Sequence, residues 1–316
     1  MLSILIPTYN YNASELVKSM LALARTENVD AEVIVGDDGS TRETAWMDEL
    51  CTPEPVGVPV RTLKGSRPNP YGLEPEPLRV LRAPQNIGRS AIRNRLAEAA
   101  RGEWLLFVDC DARMSPDFSL RRYLAATEHS AVVSGGLCNP SEKPVPGCEL
   151  RWYYERAAEP LFAAERLNRM ENIPFRTFSF IIRRDLFLSV RFDETIRNYG
   201  YEDVLFGIEL ERIGHKPYYI DNPLINGDIE PNAVYLAKAE EAMRTLQSIP
   251  GGLHGHSLVE NTALRMRRFH LDGLIVLLYR ILCKRLRKNL LGSHPNLRFF
   301  AFYKLGYLLS IRNPRP

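Results

Sequence analysis

Short apolar segments alternate with segments of helical spacing along the first 140 residues of the chain. The apolar segments are typical of buried strands, and the segments between them repeat apolar residues every three to four positions, as amphipathic helices do. This alternation indicates βαβ units, and therefore an α/β fold with a mainly parallel central sheet flanked by helices. The predicted strands are Leu2–Pro7, Glu32–Gly36, Arg79–Leu81, Glu103–Val108 and Ala131–Ser134, and the predicted helices are Ser14–Thr26, Thr41–Leu50, Arg89–Arg101 and Pro116–Glu128.

The remainder of the chain is predicted to be mostly helical. One more strand is expected at Phe175–Arg183, followed by helices at Tyr201–Gly214 and Asn232–Leu246. The stretch Pro53–Pro77 is rich in Pro and Gly and is expected to form a surface loop. Near the C-terminus, a largely apolar core at Leu274–Leu282 lies between basic segments. It is too short to span a bilayer, which takes about 20 apolar residues.

Composition is that of a globular protein with a sizeable core, since 45% of the 316 residues are hydrophobic and 25% are charged. The five cysteines are an odd number without a C-x-x-C pair, which favours reduced thiols over disulfides or a zinc site. The first residues, MLSILIPTYN, lack a basic segment and contain an early proline, so they indicate a strand rather than a signal peptide. We therefore expect a cytoplasmic protein.

The net charge of +3 is unevenly distributed along the chain. Residues 265–316 carry 12 Lys or Arg and one acid, Asp272, a net charge of +11, so the rest of the chain has a net charge of −8. An acidic body with a basic tail favours an anionic partner, either a lipid surface or a nucleic acid. The sequence contains no aromatic and basic sheet motif and no recognition-helix pattern, which argues against nucleic acid.

Two carboxylates, Asp109 and Asp111, directly follow the apolar run of one predicted strand. If the chain stays extended there, both side chains lie on one face and Cys110 lies on the other. Two like charges so close are costly unless a cation, a proton or solvent relieves them, so a metal site is one interpretation. These residues alone are more typical of a solvated turn before a helix, with Ser115 as the N-cap and Pro116 in the first helical position.

Other polar clusters also follow predicted strands, where ligand sites of open parallel sheets lie. Taken singly, such clusters are more typical of an ordinary turn or a solvated helix face than of a ligand site. The clusters are Pro7 and Thr8 after the first strand, Asp37 and Asp38 with the turn residue Gly39 after the second, and Arg89, Arg93 and Arg95 where the helix of NIGRSAIRNRLAEAA begins.

The ordered motifs SILIPTYN, VIVGDDGST, NIGRSAIRNRLAEAARGEWLLFVDCDA and NYGYEDVLFGIELERIGHK resemble those of the inverting family 2 glycosyltransferases, which have the GT-A fold. The resemblance covers roughly residues 2–250. It implies a GT-A domain at residues 1–250, with a nucleotide-binding half at 1–112 and an acceptor half at 113–250. A basic, helical C-terminal extension at residues 251–316 would follow this domain.

The resemblance also implies a role for each motif residue. A divalent cation, Mn²⁺ or Mg²⁺, would stabilise the charge that develops on the nucleotide diphosphate, and such ions prefer hard oxygen ligands. By this resemblance Asp111 ligates the metal directly, Asp109 holds the ribose or a metal-bound water, Asp37 and Asp38 accept hydrogen bonds from the base or ribose, Pro7 and Thr8 lie behind a uracil-type base, and Arg89 and Arg93 lie beside the base or the diphosphate.

The acidic motif YEDVLF supplies the residues for the acceptor. The resemblance makes Asp203 the general base and makes Glu202 the group that binds an acceptor or sugar hydroxyl. Without it, both are equally typical of an acidic first helical turn that faces a favourable helix dipole. The tyrosines of the preceding NYGY could stack on sugar faces or could pack in the core.

One departure from the family pattern affects the metal site. Many relatives have a histidine ligand after the acceptor motif, and the corresponding segment PLINGDIEPN has Asn226 and Asp228 instead. An Asn carbonyl is the weaker ligand. His254 and His256 in GGLHGHS could substitute for it, although a Gly-flanked loop with two histidines is more typical of a simple loop.

These features predict an enzyme that transfers a hexosyl group with inversion from a nucleotide sugar. We expect this donor to be a UDP-sugar. Its acceptor would be a saccharide or lipid-linked saccharide of bacterial surface polysaccharide synthesis. Residues 265–312 could then bind the inner face of the membrane peripherally, or could form helices that pack on the main domain with solvated basic residues. A non-catalytic scaffold of the same fold, which binds nucleotide or glycan, is the alternative function.

Overall fold

The computed structural model describes residues 1–51, 77–170, 175–253 and 255–312. The predicted loop Pro53–Pro77 falls almost entirely outside these residues, as does His254. The strands are β1 Leu2–Thr8, β2 Ala31–Asp37, β3 Leu78–Arg82, β4 Trp104–Val108, β5 Ala112–Arg113, β6 Val132–Ser134, β7 Leu137–Cys138, β8 Ser179–Arg183, β9 Tyr218–Tyr219 and β10 Leu224–Asn226. The α-helices are α1 Ser14–Thr26, α2 Ala45–Cys51, α3 Arg89–Ala99, α4 Leu120–Ala126, α5 Glu149–Ala158, α6 Ala164–Leu167, α7 Arg184–Val190, α8 Glu202–Arg212, α9 Asn232–Ser248, α10 Leu258–Arg268, α11 Asp272–Leu290 and α12 Leu297–Arg312, and a 3-10 helix spans Glu159–Phe162.

A seven-stranded central sheet has the strand order β3-β2-β1-β4-β8-β6-β9. The pairs β3–β2, β2–β1, β1–β4 and β6–β9 are parallel, whereas β8 is antiparallel to both of its neighbours. A small sheet of order β5-β10-β7 is separate from it. The prediction of a mainly parallel sheet flanked by helices, with further helices near the C-terminus, is therefore confirmed.

The central strands form where the sequence is continuously apolar. Every residue of β1 is buried, as expected for an interior parallel strand that helices cover on both faces. The helix α1 has the predicted bounds, and its buried residues Leu16, Val17, Met20 and Ala24 lie on one face. Short-range periodicity was sufficient to locate these elements.

The helix predicted at Pro116–Glu128 begins later, at Leu120. Ser119 is its N-cap, since the Ser119 hydroxyl accepts a hydrogen bond from the Arg122 amide at 3.2 Å. The Ser115 hydroxyl instead donates to the Pro223 carbonyl oxygen at 2.7 Å. The proposed Ser115 cap was therefore wrong, because a contact across 108 residues occupies that hydroxyl.

Contacts divide the chain into two compact units. The first comprises Met1–Leu137, Arg176–Arg197 and Glu209–Asn226, and it contains the central sheet. The second comprises Cys138–Phe175, Asn198–Ile208 and Gly227–Pro316. Such units need not coincide with functional halves, so the division of the chain at residues 112 and 250 stays a prediction.

The second unit has an apolar core of its own. Leu150 of α5 and Leu236 of α9 are buried in one cluster with residues of the C-terminal helices, among them Tyr279, Leu290 and Phe300. Over the described ranges, no helix is both long enough and apolar enough to cross a membrane. The cysteines Cys110, Cys138, Cys148 and Cys283 are not in disulfides.

A buried aromatic stack holds β4 in the sheet. The Phe107 ring lies 4.9 Å from the rings of Phe180 and Phe187, and Phe107 is fully buried. We expect Phe107→Ala to lower the free energy of unfolding by about 3–5 kcal/mol, since it removes a core ring and leaves a cavity. Urea unfolding followed by circular dichroism measures this loss of stability. Phe299 is half-exposed, so Phe299→Ala is the control and is expected to cost less than about 0.5 kcal/mol.

Candidate functional site

The chain turns directly after β4, at the Asp-X-Asp sequence. The Ala112 amide donates to the Asp109 carbonyl oxygen at 3.0 Å, which closes a turn over Cys110 and Asp111. The extended geometry expected for Asp109 and Asp111 was therefore wrong, because this bond competes with further strand pairing. Cys110 is partly buried against the core below the turn, and burial raises the pKa of its thiol to about 12.

Asp109 is paired with a buried arginine. The Arg93 guanidinium, on α3, donates to Asp109 Oδ1 at 2.6 Å and also to the Arg89 carbonyl oxygen at 3.2 Å. The Arg93 side chain is only 2% exposed, so its charge has to be neutralised within the protein. Arg93 thus positions Asp109, whereas the expected contact between Arg93 and a ligand finds no support in this burial.

Arg89, one helical turn before Arg93, has a different environment. Its guanidinium lies 3.8 Å from Asp109 Oδ2, and its side chain is 46% exposed. A cation that is both near Asp109 and open to solvent can approach an anionic ligand. Of the two predicted arginines, Arg89 is therefore the one that is placed to contact a phosphate.

Asp38, in the motif VIVGDDGST, binds the loop that precedes α3. Both Asp38 carboxylate oxygens accept backbone hydrogen bonds, from the Ile87 amide at 2.7 Å and from the Gly88 amide at 3.1 Å. Burial raises the pKa of Asp38, and these two hydrogen bonds oppose the rise. Asp37 is also buried and accepts from the Ser40 amide at 3.0 Å. The contacts of both acids in this structure are with backbone amides.

The first motif likewise contains buried residues. Pro7 and Thr8 lie at the carboxyl end of β1, and the Thr8 hydroxyl donates to the Tyr11 carbonyl oxygen at 3.0 Å. Asn10, which the sequence analysis did not single out, joins two loops, because its side-chain Oδ1 accepts from the Thr41 and Arg42 amides at 2.9 and 3.1 Å. Its positive φ of 51° was not apparent from the sequence.

Asn226 contains an unsatisfied polar atom near the Asp-X-Asp turn. It pairs in antiparallel register with Ala112, the residue after Asp111. Asn226 is buried, and its Oδ1 atom has no hydrogen-bond partner among the described residues. A buried carbonyl oxygen without a partner is costly. A hard cation beside Asp111 would satisfy Asn226 Oδ1.

This donor set fits a metal ion that a substrate helps to hold. Within the described ranges, no group of three His, Cys, Asp or Glu residues could hold a metal. Mg²⁺ and similar ions commonly take only one or two carboxylates from a protein when phosphates supply the other oxygens. Asp111 with Asn226, and Asp109 through its second oxygen, satisfy that requirement.

A pocket of about 280 Å³ lies beside the start of α3, in the first unit. This volume suits part of a nucleotide sugar rather than the whole molecule. Asn94, outside the lining, holds the lining residue Glu194, since its amide donates to Glu194 Oε1 at 2.8 Å and to the Phe192 carbonyl oxygen at 3.0 Å. The pocket is lined by Gln85, Asn86, Ile87, Gly88, Ala91, Arg95, Glu194 and Arg197.

The predicted acceptor residues lie in the second unit, in the first turn of α8. Glu202 is buried, and the Asp203 carboxylate accepts from the Val204 amide at 2.8 Å. Before them, Gly200 and Tyr201 have positive φ values of 103° and 70°, which turns the chain sharply into the helix. Burial, with smaller contributions from the Asp203 and Glu260 carboxylates, raises the pKa of Tyr201 to about 12.

Both tyrosines of NYGY pack within the protein. Tyr201 is hydrogen-bonded to Ser257, and the Tyr199 ring lies 5.2 Å from the Lys238 ammonium. The Tyr199 amide donates to Glu241 of α9 at 3.0 Å. These contacts favour the packing role over sugar stacking.

The remaining candidates for the metal site lie in the second unit, whereas Asp111 and Asn226 lie in the first. The Asp228 carbonyl oxygen accepts from Arg151 at 3.1 Å. His256 is buried in the loop before α10. A role for Asp228 or His256 in the donor set stays a prediction.

Comparison with known proteins identifies a family that this chain matches. A family model described as Glycosyl transferase family 2 matches residues 3–190. A Bacillus subtilis (strain 168) protein provisionally named glycosyltransferase EpsH is 22% identical over 279 residues, which is 84% of this chain and 72% of EpsH.

One solved structure, with a TM-score above 0.5, shows a likeness of fold. The mannosyltransferase PcManGT of Pyrobaculum calidifontis, solved with GDP-Man and Mn²⁺, matches 99% of this chain and 86% of its own with a TM-score of 0.52 and 13% identity. Residues 1–349 of S. aureus TarS match 99% of this chain and 92% of their own with a TM-score of 0.48 and 18% identity. The fold predicted from the motifs is confirmed.

The two arginines beside Asp109 form a matched pair for mutagenesis. We expect Arg93→Met to lower the free energy of unfolding by about 3–5 kcal/mol, because it removes one member of a buried ion pair. Arg89→Met should cost less than about 1 kcal/mol, because solvent already screens the Arg89 charge. Urea unfolding at neutral pH measures both, and equal losses would contradict the positioning role of Arg93.

Proposed function

The chain belongs to glycosyl transferase family 2 and is a glycosyltransferase, and on this premise we propose that it transfers a hexosyl group with inversion from a nucleotide sugar to a saccharide acceptor. The observation that carries the proposal is the Asp-X-Asp turn. One acid of this turn is neutralised by a buried arginine, and the other lies one residue from the strand partner of a buried, unsatisfied Asn carbonyl. Such an arrangement suits a metal and diphosphate better than it suits a simple turn.

The metal site would consist of Asp111, Asn226 Oδ1 and one oxygen of Asp109. Mn²⁺ or Mg²⁺ held there would stabilise the negative charge of the leaving diphosphate. The substitution of Asn226 for the histidine of many relatives makes the donor set all oxygen, which favours hard cations. Since the protein supplies few ligands, we expect metal and nucleotide to bind together rather than separately.

The donor nucleotide would lie over the carboxyl ends of β1, β2 and β4. Arg89 would contact the diphosphate, since its guanidinium is half-exposed beside Asp109. Asp37 and Asp38 would act mainly through the loops that they hold, with any contact to base or ribose made by their remaining lone pairs. Pro7 and Thr8 would form the surface behind a uracil-type base, and UDP is therefore the expected nucleotide.

Transfer requires a base for the acceptor. The acceptor hydroxyl oxygen attacks the anomeric carbon from the face opposite the diphosphate, and the bond between that carbon and the diphosphate oxygen breaks. The electron pair leaves with the diphosphate, and the hydroxyl proton passes to Asp203. Buried Glu202 would hold an acceptor or sugar hydroxyl. Inversion at the anomeric carbon follows from this direction of attack.

The biological acceptor would be a saccharide or lipid-linked saccharide of bacterial surface polysaccharide synthesis. In this proposal the enzyme works in the cytoplasm and reaches lipid-linked acceptors at the inner membrane face through its basic C-terminal segment, residues 265–312. The functional halves would be residues 1–112 for the nucleotide and 113–250 for the acceptor, with 251–316 as the extension.

The donor and metal proposals are tested together by calorimetry with UDP, GDP and CMP, each with and without Mn²⁺. We expect UDP to bind about tenfold or more tightly with Mn²⁺, because Asp111 and the diphosphate would both supply oxygen ligands to the ion. Asp111→Asn should remove this gain, and Asn226→Ala should reduce it. GDP is included because the mannosyltransferase of similar fold was solved with GDP-Man and Mn²⁺.

Asp117→Asn is the matched control for charge removal, since Asp117 is an exposed acid near the same turn. It should leave the Mn²⁺ dependence unchanged. Nucleotide binding that ignores both Mn²⁺ and Asp111→Asn would contradict the metal site. Binding without any donor turnover in the wild-type protein would favour the non-catalytic scaffold.

The role of Asp203 is tested by donor turnover. Asp203→Asn keeps the side-chain shape but cannot take the proton, so we expect transfer to fall by about 100-fold or more. UDP affinity should stay within about twofold, because Asp203 acts on the acceptor. Released UDP, measured with a saccharide acceptor mixture, gives the rate, and Glu142→Gln, at an exposed acid of the same unit, is the control. A full rate in Asp203→Asn would rule out Asp203 as base.

A further inference from the structure

The helix α11 presents apolar side chains on two opposite sides. One side is buried in the second unit, where Tyr279, Leu286 and Leu290 pack in a cluster with Phe300 and Tyr303 of α12. The approach of the two helices is close, since a Cβ on Gly306 would lie 2.6 Å from Tyr279. Packing within the unit thus accounts for this side of α11 alone.

The other side of α11 is exposed. Leu274, Leu277, Leu278 and Ile281 are between 38% and 66% exposed, although all four are large and apolar. Their spacing of three, one and three residues places them on one helical face, within two turns. Single exposed leucines need no explanation, but such a group on one face commonly marks an interaction site. We call these four residues the apolar face of α11.

Exposed cations continue the same helical face. Lys284, Arg285 and Lys288 are exposed, and each lies three, four or seven residues after Ile281. At these spacings the three cations lie on the same side of α11 as its apolar face, in the next turns of the helix.

The chain before α11 repeats this combination. Phe269 and Leu271 are 62% and 42% exposed in the connection between α10 and α11. Arg265 and Arg268, at the end of α10, are exposed as well. The apolar face of α11 therefore has cations before it and after it along the chain.

This charge decides which partner fits the exposed side. A second copy of the chain would bring together two segments that each carry a net charge of +11 over residues 265–316, which like-charge repulsion opposes. An anionic lipid surface offers acyl chains to the apolar side chains and phosphates to the cations at the same place. Stable membrane anchoring takes two such contributions, and α11 supplies both.

We propose that α11 docks the enzyme on an anionic lipid bilayer. The apolar face of α11 enters the boundary between headgroups and acyl chains, and Lys284, Arg285 and Lys288 bind headgroup phosphates. The helix lies on the bilayer rather than across it. The proposal rests on the proposed function only in that a bilayer would hold a lipid-linked acceptor, and docking itself needs neither donor nor metal.

Co-sedimentation with lipid vesicles tests the docking face. The vesicles contain phosphatidylcholine alone or with about 30% phosphatidylglycerol, a composition that gives an anionic surface. We expect the full chain to bind the anionic vesicles at least tenfold more strongly than the neutral ones. The difference should shrink as salt is raised from about 0.1 to 0.5 M, because salt screens the cations.

Two triple variants separate the apolar and the cationic contributions. Leu274→Gln, Leu278→Gln and Ile281→Gln together should weaken binding to anionic vesicles at least tenfold, because they remove the apolar burial. Lys284→Gln, Arg285→Gln and Lys288→Gln together should abolish the preference for anionic lipid.

Matched controls change exposed residues elsewhere. The apolar control combines Val145→Gln, Ile213→Gln and Val234→Gln, and the cation control combines Lys18→Gln, Arg42→Gln and Lys143→Gln. All four triple variants change only exposed side chains, so circular dichroism should show the wild-type spectrum and melting temperature. Both controls should bind vesicles as the wild type does.

Three outcomes would overturn the proposal. The first is equal binding to neutral and anionic vesicles, and the second is equal loss in the α11 variants and in the controls. The third is self-association: a dimer in sedimentation velocity that the leucine variant converts to a monomer, with no vesicle binding by either. UDP and Mn²⁺ calorimetry on the same samples is unaffected by docking, so failure here leaves the proposed function separately testable.

Discussion

The buried guanidinium of Arg93 has to be neutralised, and the carboxylate of Asp109, 2.6 Å away, is the group that neutralises it. This ion pair joins α3 to the carboxyl end of β4. Asp38 adds a second connection, since it binds the amides before α3 from the end of β2. Together the two contacts hold two strand ends and a helix start in one arrangement. The turn that presents Asp111 depends on them, because a shift would leave buried charges without partners.

These contacts divide the polar motifs into positioning residues and residues open to a ligand. Buried Arg93 and Asp38 already have partners within the protein, whereas Arg89 remains half-exposed beside Asp109. A motif whose residues all faced a ligand would lack the contacts that hold it rigid. Asn226 belongs to neither group in this structure, because its buried carbonyl oxygen lacks a partner among the described residues. In the proposed function, the metal ion that arrives with the substrate would supply this partner.

The apolar side chains of the C-terminal helices divide in the same way, into those that pack within the protein and those that are open to a partner. Burial of one side of α11 accounts for Tyr279 and Leu290 but leaves Leu277 and Ile281 exposed to water. A helix that only completed a core would have a polar outer side. The sequence analysis left open whether residues 265–312 bind a membrane or pack on the protein. In α11 one side packs, which leaves the opposite side available for a partner.

The sequence by itself determined what depends on local periodicity and on side-chain chemistry. The bounds of α1, the mainly parallel sheet, the order of the acidic and basic motifs and the charge of the tail were all predictable in this way. Only the tertiary structure decided that the chain turns after Asp109, that Ser119 rather than Ser115 caps α4, and that Asn226 pairs with Ala112. It also decided that Arg93 is buried while Arg89 is not, although the two lie one helical turn apart. Each of these depends on contacts between residues distant in sequence, and a local pattern carries no information about which distant group will pack against it.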